Sequence, residues 1–148
     1  SLVGSEMCIR DRYTAKAEEL KSYPFTLIGV DAEEAQKCMD KNNQTTCFIN
    51  RNTLLIDLGE ERTITSFHYL PDQSEYNKGV IAAYEISVGT DSNAVNQLVA
   101  KDEFSNIKSN PILQSVYFTP VNARYVQLKA TRMIHDGEPM GLAEIGIQ

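Results

Sequence analysis

From residue 53 onward, apolar and polar residues alternate with a period of two, the signature of half-buried strands. In Ala83–Val88, Tyr84, Ile86 and Val88 share one face opposite Glu85 and Ser87, and Tyr125–Leu128 repeats the pattern. This periodicity predicts strands over Thr53–Leu58, Thr63–Leu70, Val80–Val88, Asn96–Ala100, Leu113–Phe118, Ala123–Met133 and Leu142–Ile147. Turn chemistry separates them at LGEE, LPDQ, GTDSN, KSNP and HDGEP. Upstream, Phe25–Val30 reads as a strand, Ala32–Met39 as one or two helical turns and DKNNQTT (residues 40–46) as a polar loop. Short strands joined by Gly, Pro and Asn turns predict an all-β fold, an antiparallel sandwich or barrel rather than a parallel α/β sheet.

At 148 residues the chain is long enough to bury one self-sufficient core. No apolar run reaches the roughly 18 residues of a membrane span. The net charge of −6 argues against nucleic acid or an anionic membrane as partner. Cys8, Cys38 and Cys47 form neither a disulfide framework nor a CxxC metal motif. No Ser/His/Asp set or Cys/His dyad sits in a supporting motif, so no catalytic centre is signalled.

The first twelve residues, SLVGSEMCIRDR, have no period of either kind. Leu2–Asp11 can be written as the codons CTC GTG GGC TCG GAG ATG TGT ATA AGA GAC, a string that resembles a transposase adapter of sequencing libraries. Residues 1–12 are therefore set aside from fold reasoning, residues 13–24 read as a linker or short helix (AKAEELK), and residues 25–148 as the domain. The chain is thus expected to be part of a longer protein, and its native cysteines to number two.

Four stretches, in order, carry a resemblance. They are DKNNQT (40–45), LLIDLGEERTITSFHYLPDQ (54–73), YEISVGTD (84–91), and FTPVNARYVQLKA (118–130) followed by LAEIGI (142–147). Together they resemble the discoidin, or coagulation factor V/VIII C-type, superfamily and within it the family 32 carbohydrate-binding modules. YLPDQSEYNKG, EFSNIKSNPILQ and FTPVNARY look most like the C-terminal module of bacterial family 29 α-L-fucosidases. The resemblance implies a jelly-roll β-sandwich, non-catalytic and attached to a secreted glycoside hydrolase, in the periplasm, on the cell surface or outside the cell.

The resemblance also implies a structural Ca²⁺ site. Carried over residue by residue, its ligands are Lys37, Asp40, Asn42, Thr45, Ala143 and Glu144, a set rich in the oxygens a hard cation needs. The alternative is a polar surface loop in which Asp40 caps a turn. Lys41 stands where the family has Gly, a costly choice if that position needs a positive φ. Asn43-Gln44-Thr45 matches a glycosylation sequon, discounted for a bacterial protein. Cys38 and Cys47 flank the loop, either as a bridge or as two small buried hydrophobes.

For the sugar face, the resemblance maps Phe48 and Arg51 in one loop, Asp72 and Asn77 in a second, and Pro139 and Met140 in a third. Asp72 stands where the family has an Arg, Pro139 and Met140 stand where an aromatic is expected, and the chain has no Trp. Gln73 and Tyr76 are the nearest substitutes for serving hydroxyls. The implied ligands are galactosides, fucosides or N-acetylhexosamines, and the implied partner is a catalytic domain of the same polypeptide. A β-sandwich that packs on that domain without binding sugar is the alternative. His68 reads as a strand-face histidine, His135, Asp136 and Glu138 as a solvated loop or, alternatively, a binding trio, and Arg124 as an internal partner of a strand carboxylate such as Asp57.

Overall fold

The computed structural model describes residues 21–42, 44–74, 78–104, 107 and 112–148. The expected helix at AKAEELK, the sequon asparagine Asn43, Tyr76, Asn77 and the KSNP turn lie wholly or mostly outside them. Among the described residues the strands are β1 (Thr26–Ile28), β2 (Cys47–Ile49), β3 (Thr53–Leu70), β4 (Ile81–Gly89), β5 (Gln97–Glu103), β6 (Gln114–Met133), β7 (Met140–Leu142) and β8 (Glu144–Ile147). One short helix, α1 (Ala32–Gln36), follows β1.

All strand pairs are antiparallel. The main sheet runs β1-β3-β6-β4-β5, with β8 on the far half of β3, and β2 and β7 form a second, two-stranded sheet. The fold is an antiparallel β-sandwich of the jelly-roll kind, as the alternation predicts.

Two expected breaks are not chain reversals. LGEE lies inside β3, and the segment between Phe118 and Ala123 lies inside β6. Both are register shifts, between Asp57 and Arg62 and between Ile64 and Ser66. At the first, Asp57 Oδ1 accepts the Gly59 N–H at 2.8 Å and Gly59 takes φ +82°, so the residues that signal a turn make a bulge. Bulges bend and twist a strand, which lets two long strands serve both halves of the core. The strand β2 was not predicted at all. Its three residues are too few for a period to show.

The alternating faces close the core. Leu54 opposes Leu128 and Ile56 opposes Val126 across β3 and β6, and all four are buried. Tyr84, Ile86 and Val88 are buried while Glu85 and Ser87 are only partly so. The Tyr69 hydroxyl, deep in the core, donates to the Gly141 carbonyl at 3.0 Å and accepts the Ile81 N–H at 3.2 Å. It thereby ties β3 and β4 to the β7 end of the molecule, where the loops of interest emerge.

Arg124 pairs with Asp57 as expected, Nε to Oδ1 at 2.9 Å and Nη2 to Oδ2 at 3.2 Å. This two-pronged contact, outweighing partial burial, holds the Asp57 carboxyl below its ordinary 3.8. The folded-state pKa is depressed, so the pair stabilises above the unfolded value and is lost as pH falls through the folded one. Arg124→Ala is expected to lower stability only modestly at neutral pH, because the guanidinium is partly exposed and solvent screens the pair. Denaturant melts at pH 7 and pH 3 check this, with the difference from wild type shrinking at the lower pH.

His68 is buried, as a strand-face histidine should be. Its ring nitrogens meet Ser66 Oγ at 3.1 Å and Ser115 Oγ at 2.8 Å, and burial lowers its pKa, which favours the neutral ring. Cys38 and Cys47 are both free and fully buried, and the Cys38 thiol donates to the Ala35 carbonyl at 3.3 Å. Its contact with Cys47 and its burial push the Cys38 thiol up.

Candidate functional site

The polar loop before β2 gathers oxygens. Thr45 Oγ1 lies 2.6 Å from Asp40 Oδ2, 3.1 Å from the Asn42 carbonyl and 3.2 Å from the Lys37 carbonyl. The backbone curls because Asp40 Oδ1 accepts the Asn42 N–H at 3.0 Å and Asn42 Oδ1 accepts the Gln44 N–H at 2.9 Å. Lys41 sits at φ +59°, the left-handed conformation that glycine adopts without strain and that costs another residue about 1–2 kcal/mol. Lys41 also donates its backbone N–H to the Glu144 carboxylate, which bridges the loop to the start of β8. Ala143, just before Glu144, is held by its N–H on the Leu70 carbonyl at 2.9 Å.

Glu144 is the anomaly of this end. It is 2% exposed, and its Oε2 has no hydrogen-bond partner. Burial and then the charge of Asp40 push its carboxyl up to about 8. A buried, orphaned carboxylate oxygen beside a ring of carbonyl and hydroxyl oxygens is a donor set that fits a hard cation. Among the described residues no group of three or more His, Cys, Asp or Glu side chains gathers. The donors here are two carboxylates plus main-chain and hydroxyl oxygens. All six residues expected in the metal set thus lie in this loop or at the start of β8.

The expected sugar face is only partly assembled as mapped. Phe48 stands on β2 with its ring partly exposed, and its N–H donates to Glu34 Oε1 at 2.7 Å. That bond, with Lys37 Nζ, lowers the Glu34 pKa. Arg51 follows on a tight turn, its N–H on the Ile49 carbonyl at 2.9 Å and its guanidinium donating to the Gly29 carbonyl. A cleft of about 300 Å³, lined by Asp31, Glu34, Phe48 and Asn50 among others, lies on the Gly29 side of Arg51.

Asp72 is not presented to solvent. It is 4% exposed and accepts the Thr46 hydroxyl at 2.8 Å, the Lys78 N–H at 2.9 Å, the Ser74 N–H at 3.2 Å and the Ser74 hydroxyl. Burial alone would raise its pKa, but these donors outweigh burial and hold it below the ordinary range. An acid in place of the family's Arg therefore pins the second loop to the first. Gln73 turns back on the Pro71 carbonyl at 2.8 Å. Met140 is buried opposite Ile49 and offers no platform, while Pro139 is half-buried.

The three loops nevertheless meet. The Gly141 N–H donates to the Gly79 carbonyl at 2.8 Å, and Glu138 Oε1 accepts the Gly79 N–H at 3.4 Å. A Cβ on Gly79 would lie 2.3 Å from the Pro139 carbonyl, and one on Gly141 would lie 2.4 Å from the Lys78 carbonyl. These approaches fold a second cleft, of about 270 Å³, between Asn50–Asn52 and Gly137–Met140, with Met133 at its side. Asn50, Asn52 and Met133 are not among the residues the sequence singles out, while Glu138 belongs to the loop trio for which it leaves binding as the alternative. The signal for them was their place beside mapped positions in the first and third loops. His135 and Asp136 are exposed, as expected.

The F5/8 type C domain model matches residues 30–145. The chain belongs to the F5/8 type C domain family. No protein of curated function matches it. Among solved structures, the Clostridium perfringens module CpGH89CBM32-5, in complex with GalNAc-β-1,3-galactose, superposes with a TM-score of 0.67 at 21% identity, over 84% of this chain and 93% of that one. The family 32 module of C. perfringens NanJ, in complex with galactose, gives 0.65 at 23% identity, over 84% and 91%. A glycoside hydrolase 29 family member from an unknown rumen bacterium is 31% identical with a TM-score of 0.63, over 82% of this chain but 21% of that one. This F5/8 type C domain thus has the fold of family 32 carbohydrate-binding modules, and part of a glycoside hydrolase is among its relatives.

Proposed function

We propose that this F5/8 type C domain is a non-catalytic carbohydrate-binding module of a secreted bacterial glycoside hydrolase, a family 29 α-L-fucosidase. The observation that carries the binding role is the meeting of three loops at one end of the sandwich, where Arg51, Asn50 and Asn52 are exposed around two clefts. Planar polar side chains beside apolar surface are what saccharide hydroxyls and C–H groups require. The 31% identity with a family 29 hydrolase, over a fifth of that chain, supports the parent. A module of this kind raises the effective concentration of its enzyme on a glycan by tethering.

The same reading includes a structural calcium ion. Lys37, Asn42 and Ala143 would supply carbonyl oxygens, Asp40 and Glu144 carboxylates and Thr45 its hydroxyl. The ion would neutralise the two carboxylates and fix the loop that leads into β2.

The competing reading, a sandwich that packs on its catalytic domain without sugar, draws on the withdrawal of Asp72 and Met140 from the surface. Isothermal titration of the chain with millimolar galactosides, fucosides and N-acetylhexosamines, with Ca²⁺ present, separates the two. Saturable heat with any one supports the module, and none with all of them supports the packing domain.

A further inference from the structure

The cleft of about 270 Å³ differs from its larger neighbour in ways that select a ligand. Among the described residues its charged lining is one guanidinium, Arg51, and one carboxylate, Glu138, a balance that favours a neutral guest. Asn50 and Asn52 are exposed, and among the described residues their carboxamides make no hydrogen bond within the chain. Their backbone is nonetheless held, since the Asn52 carbonyl accepts the Ala130 N–H at 2.8 Å and Arg51 N–H closes on Ile49. Two carboxamides on a held backbone, a guanidinium with donors to spare beyond Gly29 and a carboxylate can serve several hydroxyls at once.

The apolar part of this cleft is Met133 and Pro139 above the buried Met140, and among the described residues no aromatic ring lines it. Phe48 lines the other cleft, where Glu34 is already committed to the Phe48 N–H and to Lys37 at 3.0 Å. A flat sugar C–H face prefers a ring to stack on, whereas unbranched, polarisable thioethers close around a small protruding group. The volume lies just under the roughly 300–1,000 Å³ of drug-sized ligand sites, which suits a single sugar ring.

We propose that the cleft between Asn50–Asn52 and Gly137–Met140 binds one neutral sugar ring through a methyl group seated on the partly exposed Met133 and Pro139. The carboxamides of Asn50 and Asn52 and the side chains of Arg51 and Glu138 hold its hydroxyls. This rests on the carbohydrate-binding reading but moves the binding centre away from Asp72 and Gln73 in the second loop.

The test titrates the chain with L-fucose and L-galactose, which differ only in a methyl against a hydroxymethyl group, and with N-acetylglucosamine and glucose. The methyl-bearing member of at least one pair is expected to bind at least tenfold tighter. Asn50→Ala and Asn52→Ala are each expected to weaken that binding about fivefold or more with an unchanged melting temperature, while Tyr117→Ala, on an exposed strand face, leaves it unaltered. Equal affinity within both pairs overturns the methyl assignment. Sugar binding that both asparagine variants retain overturns the site but leaves the module reading intact. No binding of any saccharide by the wild-type chain overturns the module reading itself.

Discussion

Gly79→Ala is expected to unfold the loop end of the domain, lowering stability by about 3 kcal/mol and the melting temperature by roughly 6–12 °C. Two terms add. Gly79 sits at φ +69°, where a Cβ costs about 1–2 kcal/mol. The Cβ would also lie 2.3 Å from the Pro139 carbonyl and 2.4 Å from the Gly141 nitrogen. Both neighbours are backbone, and retreat breaks the Gly141 N–H bond to the Gly79 carbonyl. Because the third loop must move, saccharide binding should fall by an order of magnitude or more. Gly59→Ala separates the terms, since Gly59 has φ +82° with nothing within 4 Å of its would-be Cβ. It is expected to cost only about 1 kcal/mol. Equal losses in the two variants, by thermal melts, would show that the close approach carries no weight.

This pair of glycines also shows where sequence reasoning stops. Gly59 was legible as a punctuation residue, but a local signal does not say whether the chain reverses or merely bulges. That depends on whether partner strands continue alongside, and β6 does so on both sides of the shift. The period-two faces of β3, β4 and β6 were legible because each strand buries one face against a common core. The Asp57–Arg124 pair was legible from the resemblance and is present. The role of Gly79 was not, because it is set by residues some sixty positions away in sequence, Pro139 and Gly141.

The candidate site divides in the same way. The oxygen loop is local, so the density of oxygens in Asp40–Thr45 is legible directly, whereas the metal set that adds Lys37, Ala143 and Glu144 is what the resemblance implies. The sugar face is assembled from three separated loops, and residue-by-residue mapping assumes that every loop keeps its family role. Asp72 keeps its position but not that role. Placed at a loop base among the Thr46, Ser74 and Lys78 donors, the buried Asp72 carboxylate meets partly buried N–H and O–H groups and turns inward. Asn50 and Asn52 point to the consequence, since polar capacity left unspent by the chain shifts to the first loop.

Calcium at 100 times its dissociation constant is expected to stabilise the domain by about 2.7 kcal/mol, and to raise its melting temperature by roughly 5–11 °C. The expectation follows from Glu144 Oε2, a buried acceptor left without a partner next to Asp40. Mg²⁺ should do less, because a carbonyl-rich ring does not supply its small octahedral shell. In the metal-free chain, burial and then Asp40 raise Glu144 from 4.5 to about 8. Between those values the unfolded chain releases the proton while the folded chain keeps it, so metal-free stability should fall as pH rises through that window. Glu144→Gln mimics the protonated form. Its metal-free melting temperature should match or exceed wild type at pH 8, while most of the calcium shift disappears. A variant that melts early yet keeps its calcium shift would place Glu144 in packing alone. A wild-type chain whose melting temperature ignores both Ca²⁺ and a chelator would overturn the ion site.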